Sequence, residues 1–135
     1  TIKNAIRAFK VGLRWGCLKV PKAKILYRGS GSLSSFGPKI EVGATMCDKG
    51  FFSTSLNESV AVDFLKKVEV NEDRYLFIIT THSNGVNVKQ FSRAKKEEEV
   101  LFAPSTTFRI TAVLPGHTIA GVEGEVTCVE LKEMH

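Results

Sequence analysis

At 135 residues the chain has the length of one domain with a single buried core. Apolar residues make up 43% and charged residues 24%, as in an ordinary globular protein, and no apolar run approaches the roughly 18–20 residues that cross a bilayer as a helix. The net charge of +5 is spread along the sequence, apart from small clusters at Lys19 to Lys24 and Arg93 to Lys96, without the interleaved aromatics of an RNA-binding surface; it argues against nucleic acid and could equally steer the protein to an acidic target or an anionic ligand.

Cys17, Cys47 and Cys128 are odd in number and form no C-x-x-C pair, which argues against a disulfide framework and a zinc site. His82, His117 and His135 stand alone, and no metal is expected. The sequence starts at Thr1 without an initiator Met, so we expect a single domain over residues 1–135, the C-terminal part of a longer protein. The start, Thr1-Ile2-Lys3-Asn4, does not read as a signal peptide, and in a piece of a longer protein any delivery signal is expected to lie outside this sequence.

Residues 1–14 predict a helix. Ile2, Ala5, Ile6, Phe9 and Leu13 repeat at helical spacing, with Lys3, Asn4, Arg7 and Lys10 on the other side. Pro21 bars its extension. Residues 24–29 predict a short strand ending in a Gly-Ser loop, which permits a turn or close approach of backbone to a ligand. Residues 34–50 read as loop, with an extended piece at 39–42. Residues 50–55 predict a strand that runs toward a helix. Asn57 caps that helix, Glu58 suits its first turn, and Val60, Ala61, Phe64 and Leu65 form its buried stripe. It ends near Lys67.

The remainder is β-rich. The apolar run from Tyr75 to Ile79 predicts a central strand within residues 74–81. Ser83-Asn84-Gly85 is a turn, and residues 86–88 form a brief strand. A basic loop follows at 91–96. Further strands are expected at 98–102, 107–114 and 126–131, with a glycine-bearing loop over 117–125. Helices first and strands after give an α+β class: N-terminal helices packed on a β-sandwich-like core of mixed or antiparallel strands.

The three carboxylates Glu97-Glu98-Glu99 run directly into an apolar strand. Alternation puts Glu97 and Glu99 on one face and Glu98 on the other. Two like charges on one face call for water, a cation or a reaction that uses them. Two distant stretches, Leu26-Tyr27-Arg28-Gly29 and Phe52-Ser53-Thr54-Ser55, complete an ordered set with this one.

In that order the three motifs resemble the Arg–Ser–Glu class of mono-ADP-ribosyltransferases, a family that includes many bacterial toxins and effectors. Val42-Gly43, Gly85-Val86-Asn87-Val88, Ser92, Pro104 and Phe108 add to the resemblance, which spans about residues 22–131. It implies the ADP-ribosyltransferase fold, NAD as substrate without a metal, and transfer of ADP-ribose to an arginine of a target protein with release of nicotinamide.

The resemblance also implies site roles. Arg28 would hold the pyrophosphate with its fork of donors. Glu99 would bond the ribose 2′-hydroxyl and stabilise the oxocarbenium-like transition state. Glu97 would take the proton of the acceptor guanidinium, which is no nucleophile while charged. Ser53 would orient Glu99. Gly29, Phe52, Thr54 and Ser55 are further candidates to line the NAD site, with a core role favoured for Phe52 and turn or cap roles open for the two hydroxyls. Phe91, Arg93, Lys95 and Lys96 would meet the acceptor protein, their charge suiting an acidic surface.

Other readings remain at this stage: an NAD glycohydrolase, transfer to nucleic acid, and a non-enzymatic binding module. The family also implies secretion or injection by a bacterium with action in the target cell's cytosol, and a cognate immunity protein that plugs the cleft.

Overall fold

The computed structural model describes residues 20, 24–31, 40–69, 73–88 and 98–134. In chain order these form β1 (Leu26–Ser30), β2 (Thr45–Cys47), β3 (Phe52–Ser55), α1 (Glu58–Lys67), β4 (Tyr75–Thr81), β5 (Val86–Asn87), β6 (Glu99–Phe102), β7 (Thr107–His117) and β8 (Val126–Glu133). The strands make one sheet in the order β2-β7-β8-β4-β1-β3-β6-β5. Its pairs are antiparallel except β4 with β8.

The sheet curls on itself. From β7 to β3 is four strand steps, about 19 Å across a flat sheet at about 4.8 Å a step. Yet the Phe52 ring on β3 lies 5.0 Å from Phe108 on β7, and Phe102 on β6 lies 5.2 Å from the same ring. The two ends therefore face each other across a core of Leu26, Phe52, Phe77, Phe102, Phe108 and Leu131, a sandwich-like arrangement built from one sheet.

The outer face of the middle strands carries a second core, where Ala61 and Leu65 of α1 pack with Leu76, Val126 and Cys128. β4 lies between the two, with Phe77 and Ile79 turned to the first and Leu76 and Ile78 to the second. A strand covered on both faces shows no polar alternation, which is why its sequence reads as a continuous apolar run.

Local signals account for α1. The Asn57 side chain accepts from the Ser59 backbone N–H at 3.1 Å, Glu58 occupies the first turn, and Lys66 and Lys67 close the last. On the last strand, the buried Glu133 carboxylate accepts from the Ser83 N–H at 2.8 Å, the Asn84 N–H at 3.1 Å and the Asn84 amide at 2.6 Å. It thereby ties the last strand to the turn before β5.

Several expectations need correction. The helix expected over residues 1–14 lies outside the described residues. Among those described, the single helix follows three strands, so the order of helices before strands is not met. Of the extended piece expected over 39–42, residue 39 lies outside the described residues and 40–42 form no strand, because Val42 and Gly43 turn the chain, Gly43 with φ +89°; a short strand falls at Thr45–Cys47 instead. β7 runs on to His117, past Pro115, where its register with β8 shifts. Phe64 is not part of the buried stripe: it is 48% exposed.

Candidate active site

The site begins where a strand pair comes apart. β1 pairs with β4 along all five of its residues, but with β3 only at Tyr27↔Ser55. Past that point no ladder joins β1 to β3. The Arg28 guanidinium spans the gap, its Nη1 donating to the Ser53 carbonyl at 3.0 Å. Beneath it lies the Phe52 ring, 4.6 Å from ring centre to guanidinium carbon, a cation–π contact in the protein interior. Burial pushes the Arg28 pKa down and the charge of Asp48 works in the opposite direction. The guanidinium remains a cation at neutral pH, since arginine does not lose its proton in proteins.

β3 and β6 bring the remaining groups together. Their register sets Phe52 against Phe102, Ser53 against Leu101, Thr54 against Val100 and Ser55 against Glu99. Side chains alternate, so Ser53, Ser55 and Glu99 share a face while Phe52, Val100 and Phe102 turn into the core. On that shared face the Ser53 hydroxyl donates to Glu99 Oε2 at 2.6 Å. The other two hydroxyls serve the backbone. Thr54 donates to the Val100 carbonyl at 2.9 Å and is buried. Ser55 accepts from the Asn57 N–H at 3.0 Å, which sets the turn into α1.

These groups line one cleft of about 250 Å³. Arg28, Ser30, Ser53 and Glu99 make its polar side, and Val60, Ala61 and Phe64 of α1 its apolar side. Such a cleft suits a ligand with an anionic part and a flat apolar part. A carboxylate held by a neighbouring hydroxyl can accept from a ligand hydroxyl or stabilise a growing positive charge.

Of the residues singled out in the sequence, Arg28, Gly29, Ser53, Thr54, Ser55 and Glu99 meet at this cleft. Phe52 does not line it; at 1% exposure it is core, below Arg28. Glu97, Phe91, Arg93, Lys95 and Lys96 lie outside the described residues. Glu98 precedes β6 with φ +46°, and its carbonyl accepts from the Leu56 N–H at 3.2 Å. A left-handed residue interrupts extended backbone, so the strand that begins at Glu99 does not run back through Glu98.

Tyr27, Ser30, Val60, Ala61 and Phe64 also line the cleft and were not read as site residues. The signal for two of them was present. Val60 and Phe64 stand at i and i+4 on one flank of α1, Ala61 and Leu65 on the other, and a stripe that wide has room for two environments. Among the described residues, no group of His, Cys, Asp and Glu could hold a metal ion, and no helix is long and apolar enough to cross a membrane.

The chain is 38% identical over 128 residues to Vis of Vibrio splendidus, a protein named as an NAD+–arginine ADP-ribosyltransferase, covering 90% of this chain and 49% of that one. The crystal structure of Vis in complex with agmatine superposes with a TM-score of 0.67 at 30% identity, covering 98% of this chain and 58% of that one. Exoenzyme S of Pseudomonas aeruginosa, solved with a human 14-3-3 protein and carba-NAD, shares the fold at 23% identity, with a TM-score of 0.66 over 98% of this chain and 56% of that one. The chain thus spans about half the length of these relatives. Residues 7–119 match the family described as NAD:arginine ADP-ribosyltransferase. With the Arg28, Ser53 and Glu99 cleft on the ADP-ribosyltransferase fold, the chain belongs to that family.

Proposed function

We propose that this chain is the catalytic domain of a longer mono-ADP-ribosyltransferase that transfers ADP-ribose from NAD to arginine side chains and releases nicotinamide. The observation that carries the reading is the Ser53–Glu99 hydrogen bond of 2.6 Å on the wall of a cleft that also holds Arg28. Arg28 binds a phosphate oxygen of NAD, for which its charge and fork of donors are suited. Ser53 fixes the Glu99 carboxylate. Glu99 accepts from the ribose 2′-hydroxyl and stabilises the cation that grows at the anomeric carbon as the bond to nicotinamide breaks. Phe64, half exposed on the apolar side of the cleft, offers a face to a flat ring.

The acceptor step needs a base. A guanidinium nitrogen attacks the anomeric carbon only as it loses a proton, and Glu97 is the group assigned to take it. Agmatine, with which Vis was solved, carries a guanidinium and serves as the test acceptor. In an assay with labelled NAD and agmatine, the wild-type domain forms ADP-ribosyl-agmatine. Glu97→Gln keeps NAD hydrolysis and loses transfer. A domain that hydrolyses NAD yet never modifies agmatine or protein arginine is a glycohydrolase, and the transferase reading fails.

In this reading the basic residues Arg93, Lys95 and Lys96, with Phe91, contact the acceptor protein. The enzyme is secreted or injected by a bacterium, acts in the cytosol of the cell it enters, and is restrained in the producer by an immunity protein over the NAD cleft. Copurification from the native operon tests the last point. Full activity in the presence of every neighbouring gene product overturns it.

A further inference from the structure

We propose that Gly29 is a positioning residue: having no side chain at this point lets α1 sit directly on β1 and so sets the width of the cleft between the helix and Arg28. The inference rests on the NAD reading above.

Nothing in the Gly29 backbone demands glycine. It sits within strand β1, in register with Leu76 of β4, and its φ lies outside the left-handed region. The demand is steric. A Cβ on Gly29 would stand 2.5 Å from the Ala61 carbonyl oxygen and 3.2 Å from Leu65 Cγ. Both atoms belong to α1, and the closer is backbone, which no rotamer change can move aside.

One of the two elements must therefore shift when the side chain is added, and the sheet decides which. β1 is held on one side by five successive pairs with β4, one of them at Gly29 itself, and on the other by a single pair with β3 at Tyr27. The helix rests on the sheet through side-chain packing, so the helix yields. Val60, Ala61 and Phe64, the apolar side of the cleft, move with it, away from Arg28 and Ser30. The Ser53–Glu99 bond lies between β3 and β6 and is not on the path of this shift. Adding one methyl group should loosen the grip on NAD while leaving the catalytic carboxylate in place. The Arg-Gly pair thus divides its work: Arg28 supplies a charge, and Gly29 supplies the distance at which the opposite wall stands.

The test is Gly29→Ala in the folded domain, with NAD turnover and NAD affinity measured well below the melting temperature. The expected result is a five- to tenfold rise in both KM and the dissociation constant for NAD, with kcat within about twofold of wild type. Leu65→Phe crowds the same contact from the helix side without itself lining the cleft, and is expected to raise KM in the same direction. It decides the matter if Gly29→Ala does not fold. A merely structural role lowers the melting temperature of either variant and leaves KM unchanged, and that result overturns the proposal. So does a loss of kcat at constant KM. If the wild-type domain neither binds nor cleaves NAD, it is the functional reading that has failed, a different outcome from a wild type that works beside a Gly29→Ala variant with the same KM.

Discussion

Ser53 on β3 and Glu99 on β6 are 46 residues apart in the chain and joined by a hydrogen bond of 2.6 Å. The bond exists because the two strands pair antiparallel with Ser55 opposite Glu99, which leaves Ser53 as the diagonal neighbour on the same face. Hydrogen bonds to charged groups contribute about 1.5–3 kcal/mol. At about 1.4 kcal/mol per decade of rate, Ser53→Ala should lower kcat by roughly 10- to 100-fold. KM for NAD should change much less, since the serine acts on the carboxylate. Steady-state kinetics with NAD checks this; a Ser53→Ala enzyme of normal kcat contradicts it.

Arg28 does two things at once, bridging to the Ser53 carbonyl and lying over Phe52. Lysine keeps the charge but lacks the planar fork that does both. Arg28→Lys should therefore weaken NAD binding by at least about tenfold and lower stability by about 1.5–3 kcal/mol, the scale of one hydrogen bond to a charged group. Calorimetry with NAD and a urea titration test the two parts separately. A variant with wild-type affinity would mean that Arg28 only braces the split between β1 and β3.

Phe64 and Leu65 are adjacent on α1 and face different surroundings, Phe64 being 48% exposed at the cleft and Leu65 fully buried. Leu65→Ala should cost about 2–5 kcal/mol of stability, the usual range for a buried leucine. Phe64→Ala should cost less than about 1 kcal/mol and raise KM for NAD. Melting curves and kinetics on the pair separate a core residue from a ligand-facing one. Equal losses of stability would place Phe64 in the core after all.

Stability at alkaline pH should reflect two groups, the buried Cys128 and the partly buried Tyr75. Burial, and then the charge of Glu58, push the Cys128 thiol up; burial, and then Asp73, do the same to Tyr75. Each group ionises more readily in the unfolded chain than in the fold. Its contribution is complete below its unfolded value, about 8.5 for cysteine and about 10 for tyrosine, and is lost as pH rises through the folded value. Unfolding free energy from urea titrations should therefore fall from about pH 8.5 upward, and less steeply at first in Cys128→Ala. A flat profile to pH 10 contradicts this.

The parts of this molecule that could be read from sequence are those set by local rules. Asn57 and Glu58 mark the start of α1, and the apolar run in β4 follows from cover on both faces. Arg28, Ser53 and Glu99 could be grouped because their order resembles a family pattern; no single motif would have sufficed. What escaped depends on long-range packing. The curl of the sheet, the closing of β7 over β3, and the turn of Phe64 toward the cleft are decided by how α1 seats on β1, which no periodicity along one element reports. The left-handed backbone of Glu98, just ahead of β6, also has no signal in the sequence, because a glutamate does not favour that region.

The most direct test of the central claim is NAD cleavage by Glu99→Gln, with and without agmatine, beside a measurement of NAD binding. The substitution keeps the size of the side chain and removes its charge, so NAD should still bind within a few fold of wild type. Both hydrolysis and transfer should fall by about a hundred- to a thousandfold, the scale seen when a group that stabilises transition-state charge is removed. A Glu99→Gln domain that cleaves NAD at close to the wild-type rate would show that the chemistry takes place elsewhere.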